Sequence, residues 1–273
     1  MGRAWDDTFS SGHGHVVELV GQHRQVGEDS LRAVLSRLRV GECRAEDLAL
    51  LNATWVDQRE EWPEYQHLCS RSCDAQAYNA KQLAAIVGAS ATFYCRDEVP
   101  PTADSNPPNL APPPNLNKVA ASVVTLKVGA KVVCTMSFGV VRTGTHGVVV
   151  AFVQEVSVSC KFEGVEDAVE MPMVKFSVMD EEERELGCRW QVPVILSWAV
   201  TISRSQGMTI HRVAVDFSCT RWTLDGMVYA ALSRAVSLLC LRVHGLTEEH
   251  VKTSGNALHW YEKVRSERLF RAM

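Results

Sequence analysis

The chain has 273 residues, 46% apolar and 22% charged, an ordinary globular composition that supports one large domain or two small ones and excludes a disordered or fibrous protein. Its net charge of -4 and pI near 6.1 exclude nucleic-acid binding by bulk electrostatics, so any such contact has to come from a local groove. No run approaches the roughly 18 uninterrupted apolar residues of a membrane span. The first ten residues have no signal-peptide core, and nine scattered cysteines without a C-x-x-C pair read as reduced, mostly core thiols, so an intracellular protein is expected.

In chain order, AWDDTF at 4–9 is followed by SSGHGH, whose His13 and His15 have no third ligand spaced to join them and read as loop histidines. An apolar strand-like run, Val16 to Val20, leads into ELVGQHRQ, Glu18 to Gln25. On residue type alone, Arg24 is a surface residue ahead of a helix. That helix is predicted over Asp29 to Arg39, because Leu31, Val34, Leu35 and Leu38 recur at i, i+3, i+4 and i+7 and Gly41 can cap the end. Glu46 to Asn52 predicts a second, shorter helix, and the sequon Asn52-Ala53-Thr54 carries little weight without a secretory signal. His67 to Ser70 predicts a strand, followed by a helix capped near Ser72 that runs through Tyr78, Asn79, Leu83 and Ile86.

Seven of the ten prolines fall between Val99 and Asn117, which predicts an extended linker. Beyond it, Val123 to Arg189 reads as a small β module. Val156, Val158, Cys160 and Phe162 alternate with Ser157, Ser159 and Lys161, one face in and one out. Glu170 to Val178 alternates less well around Pro172 and is expected at an edge. Several short strands at close spacing suggest a barrel, and DEEERE at 180–185 reads as a solvated hairpin tip.

The densest stretch is Gln191 to Gly245. Val192 to Leu196 suits a strand buried on both faces of a parallel sheet, TISRSQGMT at 201–209 is a polar loop, and Val213 to Phe217 is a second strand. Thr223 to Ala235 reads as a helix with Leu224, Val228, Leu232 and Ala235 on one face, and Leu238 to Val243 is a third strand. This alternation is that of an open α/β sheet, whose ligands are expected beyond the carboxyl ends of the strands. The tail from Thr247 predicts a closing helix through Leu258, Tyr261, Val264 and Arg268.

Here SWAVTISRSQGMT and YAALSRAVSLLCLRV resemble motifs V and VI of the Pif-type superfamily 1 DNA helicases, ELVGQHRQ resembles their motif IV, and LKVGAKVVCTMSF with GTHGVVVAF resembles their inserted 2B barrel. The resemblance implies an α/β fold, a RecA-like parallel sheet with flanking helices interrupted by a small inserted β-barrel. It divides the chain into a remnant of a first RecA-like domain (1–15), the first part of a second one (16–98), a linker (99–122), the barrel (123–190) and the second part (191–273). The function implied is the carboxyl-terminal motor half of a 5′-to-3′ ATP-dependent DNA helicase in DNA repair, recombination or telomere maintenance, in the nucleus or mitochondrion of a eukaryote.

By the same resemblance Arg234 is the arginine-finger candidate and Arg24 a second charge on the γ-phosphate, while Gln206 and Gly207 face the nucleotide cleft. Thr201, Ser203, Arg204 and Ser205 open a helix and would hold single-stranded DNA, with Ser70, Arg71 and Asn79 as further backbone contacts. Two departures stand out: the family's His-Lys is Ser203-Arg204 here, and a barrel loop reads VVRTG at 140–144. A larger one is that no G-x-x-x-x-G-K-[ST] string occurs, and FYCRDE at 93–98 and VAVDF at 213–217 cannot replace a Walker B without it. ATP and Mg²⁺ are therefore expected only with an upstream RecA-like ATPase domain, and none for the isolated chain. The alternative is an inactive single-stranded nucleic-acid-binding or helicase-partner module; no membrane partner and no metal site are expected.

Overall fold

The structure is a computed structural model that describes residues 16–18, 23–55, 64–98, 116–153, 156–218, 224–266 and 270–272. AWDDTF, His13, His15 and most of the expected linker lie outside the described residues. The chain forms β1 (Val16–Glu18), α1 (Asp29–Arg39), α2 (Ala45–Asn52), β2 (Gln66–Cys69), α3 (Ser72–Ala85), β3 (Ser90–Tyr94), β4 (Arg96–Glu98) and α4 (Leu116–Val119). It continues through β5 (Val123–Lys127), β6 (Lys131–Cys134), β7 (His146–Val153), β8 (Ser157–Phe162), β9 (Ala168–Pro172), β10 (Val174–Met179) and β11 (Glu185–Gln191). The last elements are β12 (Val194–Leu196), β13 (Ala199–Thr201), α5 (Ile202–Ser205), β14 (Val213–Asp216), α6 (Met227–Leu232), β15 (Leu241–His244), α7 (Gly255–Ser266) and β16 (Phe270–Ala272).

Two compact units result, Met1–Ser72 with Val200–Met273, and Cys73–Ala199. In the first, the sheet order is β13-β2-β14-β15, with β14 parallel to both β2 and β15. Period-two alternation turns Leu68, Val213, Val215, Leu241 and Val243 to one face. There the stripe Leu31, Val34, Leu35 and Leu38 of α1 packs with Leu51 of α2 and Val228, Ala231 and Leu232 of α6. Each such side chain contributes roughly 1.5–3 kcal/mol by leaving water. Arg37 of α1 donates to Asp47 of α2 from Nε at 2.8 Å, and Asp47 also accepts the Arg44 N–H at 3.1 Å, which fixes the bend between the helices. The tail holds α7, but the chain ends in β16, paired in parallel with β1, rather than in a helix.

The second unit is wider than the expected 123–190, because Tyr78 and Leu83 of α3, Ile86 just after it and Phe93 of β3 share the core of the later strands. Its strands form a five-stranded sheet, order β12-β6-β7-β8-β9, a three-stranded sheet, β10-β11-β4, and the ribbon β3-β5. Among the described residues these pairings do not close into the expected barrel. Pro172 has no N–H to donate, so β9 ends there as an edge, and β10 starts a new sheet against β11. The run at Val192 to Leu196 also departs from expectation: β12 pairs antiparallel with β6, since Val192 and Val194 fill this unit's core, and β13 is the strand that joins the β2 sheet. The segment 180–185 is a hairpin tip, as read, where Asp180 accepts the N–H groups of Glu182 and Arg184.

Candidate functional site

Within the first unit, Ile210 and Ala235 form a parallel bridge ahead of β14 and β15, and the Ile210 N–H donates to Arg234 O at 3.1 Å. The helix α6 explains the placement. It follows β14 and returns to the start of the parallel strand β15, so its last turn delivers Ser233 to Ala235 to the amino ends of the strands. The expectation that this segment lies beyond the carboxyl ends is corrected by that crossover. The helix itself is shorter than expected: it starts after Gly226, which holds the left-handed φ of 72°, and Leu224 stands 65% exposed rather than on the apolar face.

At that edge Arg24 and Arg234 meet. Arg24 Nε donates to Thr209 Oγ1 at 3.1 Å and Nη1 to Ser233 O at 2.9 Å. From the other side, Arg234 Nε donates to Ala230 O at 3.0 Å, Nη2 to Ser233 Oγ at 3.0 Å and Nη1 to Met208 O at 3.4 Å. Every acceptor is neutral, and among the described residues neither guanidinium pairs with a carboxylate. Burial, and then the like charge of Arg24, pull the Arg234 pKa down. Two half-buried cations held side by side, with no carboxylate partner among the described residues, repel each other, and a polyanion between them would remove that cost.

The loop before this edge carries the other polar residues. Thr201 caps α5, its hydroxyl accepting the Arg204 N–H at 3.4 Å, and Ile202 and Ser205 are buried beneath the turn. That orientation leaves Ser203 and Arg204 exposed, followed by exposed Gln206 and Gly207, the latter at φ 83°. The short helix α5 contacts β2, and Ser70 and Arg71 follow that strand. There Arg71 is exposed, and Ser70 Oγ is buried with no hydrogen-bond partner among the described residues.

Two of the expected contacts are committed to the protein's own backbone. Ser205 is fully buried and its hydroxyl donates to Ile202 O at 2.8 Å. Asn79, in the second unit, is 8% exposed; its Nδ2 donates to Ala199 O at 2.8 Å while its Oδ1 accepts the Ala199 N–H at 2.8 Å. The acids of the Walker-like runs are occupied as well. Asp216 accepts the Ser218 N–H at 2.8 Å, and Glu98 pairs with Arg96 at 3.0 Å. No cluster of three or more His, Cys, Asp or Glu side chains that could hold a metal occurs among the described residues. Conversely, Gln25, Thr209 and Ser233 belong to the cluster although the sequence singled out none of them. Gln25 and Ser233 each sit next to an arginine that was singled out, but no spacing rule brings Arg24 to a threonine 185 positions away.

Comparison with known proteins gives a consistent answer. A herpesvirus-type helicase family model, described as helicase, matches residues 169–265. The chain is 29% identical over 266 residues to the ATP-dependent DNA helicase PIF1 of Mus musculus, covering 93% of this chain and 38% of that protein. It is 30% identical over 208 residues to the protein of the same name in Danio rerio, covering 74% of this chain and 30% of the relative. The chain thus spans well under half the length of these relatives. In fold it resembles the Pif1 helicase from Candida albicans, with a TM-score of 0.72 and 24% identity over 89% of this chain and 60% of that one. It also resembles the Bacteroides Pif1 helicase in complex with ADP-AlF3 and ssDNA, with a TM-score of 0.69 and 22% identity over 93% of this chain and 58% of that one.

Proposed function

The chain belongs to the Pif1-type helicase family, and from that premise we propose that it is the second, arginine-bearing half of an ATP-dependent DNA helicase motor. The observation that carries this is the pair Arg24 and Arg234, held beside each other on neutral acceptors with no carboxylate partner among the described residues. A polyphosphate fits that donor set. ATP bound with Mg²⁺ on a partner RecA-like domain would supply a transferable phosphoryl group. The role of this chain is to present two fixed positive charges where negative charge builds up, an effect worth about 10³ to 10⁵ in rate in other phosphoryl-transfer enzymes. Gln206 and Gly207, exposed on the link between α5 and Met208, are the part of the cleft wall that reports nucleotide state to α5.

Single-stranded DNA is the proposed second ligand. Arg71, which follows β2, and Ser203 and Arg204 of α5 are exposed, and Ser70 and Thr201 are half-buried. Asn79 and Ser205 keep these backbones in place rather than reaching out, because their polar atoms are already used inside the fold. The same surface allows the 273-residue chain to bind single strands without turnover, since DNA contact needs no P-loop. We place the work of the whole protein in DNA repair, recombination or telomere maintenance, in the nucleus or mitochondrion.

The test is Arg234→Ala in a complete, P-loop-containing protein. ATP turnover should fall by about 10³-fold or more while single-stranded DNA affinity stays within twofold. Retained turnover would sink the finger assignment.

A further inference from the structure

We infer that Gln25 is the positioning residue that sets the geometry of the two arginines, a role that rests on the reading of Arg24 and Arg234 as an anion site. Gln25 is 5% exposed, directly follows Arg24, and its Nε2 donates to Ala235 O at 2.6 Å and to Ser233 O at 3.2 Å. Ser233 O is also the acceptor of Arg24 Nη1, and Ser233 Oγ that of Arg234 Nη2. One carboxamide therefore grips the turn from which Arg234 projects, and shares an acceptor with Arg24. Without it the carbonyls of Ser233 and Ala235 lose a buried donor, and among the described residues the turn keeps the Ile210 N–H to Arg234 O bond, the bonds within α6 and those made by the two arginines themselves, Arg24 Nη1 to Ser233 O and Arg234 Nη1 to Met208 O.

The chemistry calls for an amide. Its NH₂ offers two protons to two carbonyl oxygens and adds no charge. A carboxylate at this place would meet two carbonyl oxygens with no proton to give, and would put a negative charge beside Arg24 and Arg234. Among the described residues, charged groups close to it in the chain or in its hydrogen-bond network include those two arginines and Glu28, whose carboxylate accepts the Leu238 N–H at 3.3 Å. An apolar side chain of the same length would fill the volume and donate nothing. The three side chains therefore separate packing from donation.

The experiment compares the wild-type chain with Gln25→Glu and Gln25→Met, each first shown to unfold cooperatively. Side-chain NMR without any anion reads hydrogen exchange at Arg24 Nε and Arg234 Nε, both of which donate in the structure. Exchange is expected to quicken at least tenfold in both variants at pH 7. As the pH is lowered toward 4.5 the Glu variant gains a carboxyl proton to donate, so its exchange relative to wild type should return toward one, whereas the Met variant's deficit should not respond. Titration with inorganic pyrophosphate should show a parallel loss of affinity, at least tenfold and rescued by acid only in the Glu variant. Wild-type exchange in either variant, or a Glu deficit indifferent to pH, overturns the positioning role. Wild-type pyrophosphate binding that is insensitive to Arg234→Ala overturns the anion-site reading instead, and leaves the exchange result to decide on Gln25.

Discussion

Asn52 and Asn79 each use one carboxamide to satisfy both backbone polar groups of a residue far away in sequence. Asn52 holds the C=O and N–H of Leu246 at 2.9 and 3.0 Å, and Asn79 does the same for Ala199. Replacing Asn79 with Ala leaves a buried donor and acceptor unpaired, so it is expected to destabilise by about 1–3 kcal/mol for each unsatisfied group. A urea titration of the variant against wild type measures it. The ion pairs act at the same scale but depend on pH. Hydrogen bonds from Arg189 hold the Asp97 carboxyl below its usual range, and those from Arg37 do so for Asp47. A depressed folded-state pKa means stability that is present above the ordinary carboxylate pKa, near 4, and lost as pH falls through the lower folded value. Urea midpoints should therefore fall steeply below about pH 4, and Asp97→Asn should flatten that fall at the cost of lower stability at pH 7. Burial pushes the Cys160 thiol up to about 12, so it should resist alkylation in the folded protein while the exposed Cys73 reacts.

At the scale of elements, two positions decide how strands meet. Gly147 lies in β7 against β8, and a Cβ there would stand 2.7 Å from Lys161 O and 2.8 Å from Phe162 Cδ1. Gly147→Ala should therefore push the two strands apart and destabilise by about 1–3 kcal/mol, read as a lower thermal midpoint. Gly207 has a positive φ but open space around its missing side chain. Substitution by Ala there costs only the backbone strain, and the expected effect is on the mobility of α5 rather than on packing. The same scale explains α5 itself. Four residues cannot form a stable isolated helix; the buried Ile202 and Ser205 and the Thr201 cap hold it, and the exposed Ser203 and Arg204 follow from that anchoring.

For the whole molecule, each of the two units has its own continuous core. The second is contiguous in sequence from Cys73 to Ala199, and both ends of that span are tied by the Asn79 to Ala199 bonds. Expressed alone, it should give a cooperative melt and dispersed amide resonances. Net charge belongs to this scale too. At -4 the chain gains nothing from bulk attraction to DNA, so binding should rest on a few local contacts. If Arg71 and Arg204 each neutralise one phosphate, the plot of log affinity against log salt should have a slope of roughly -1.4, reduced by about 0.7 in Arg204→Ala. A steeper slope would mean that other basic residues carry the contact.

What the sequence by itself determined is local. The apolar period of α1, the alternation of Val158, Cys160 and Phe162 in β8, the edge at Pro172 and the hairpin tip at Asp180 all follow from neighbours within a few residues, where periodicity acts directly; Val156 and Ser157, read as an inward and an outward position, are reversed at 58% and 1% exposed. Pairing across long separations was left to the tertiary structure. Val192 to Leu196 has the composition of a central parallel strand, yet it joins β6 because that core has the space for Val194; Thr223 to Ala235 has a helical period, yet the helix waits for Gly226 to set its start. The site shows the same division: its arginines resemble motif residues, but Gln25 and Thr209 become part of it only when the crossover helix returns Ser233 to the amino ends of β14 and β15, where they meet it. Hydrogen bonds between residues some two hundred positions apart leave no period in a sequence, because the chain segments between them are free to vary.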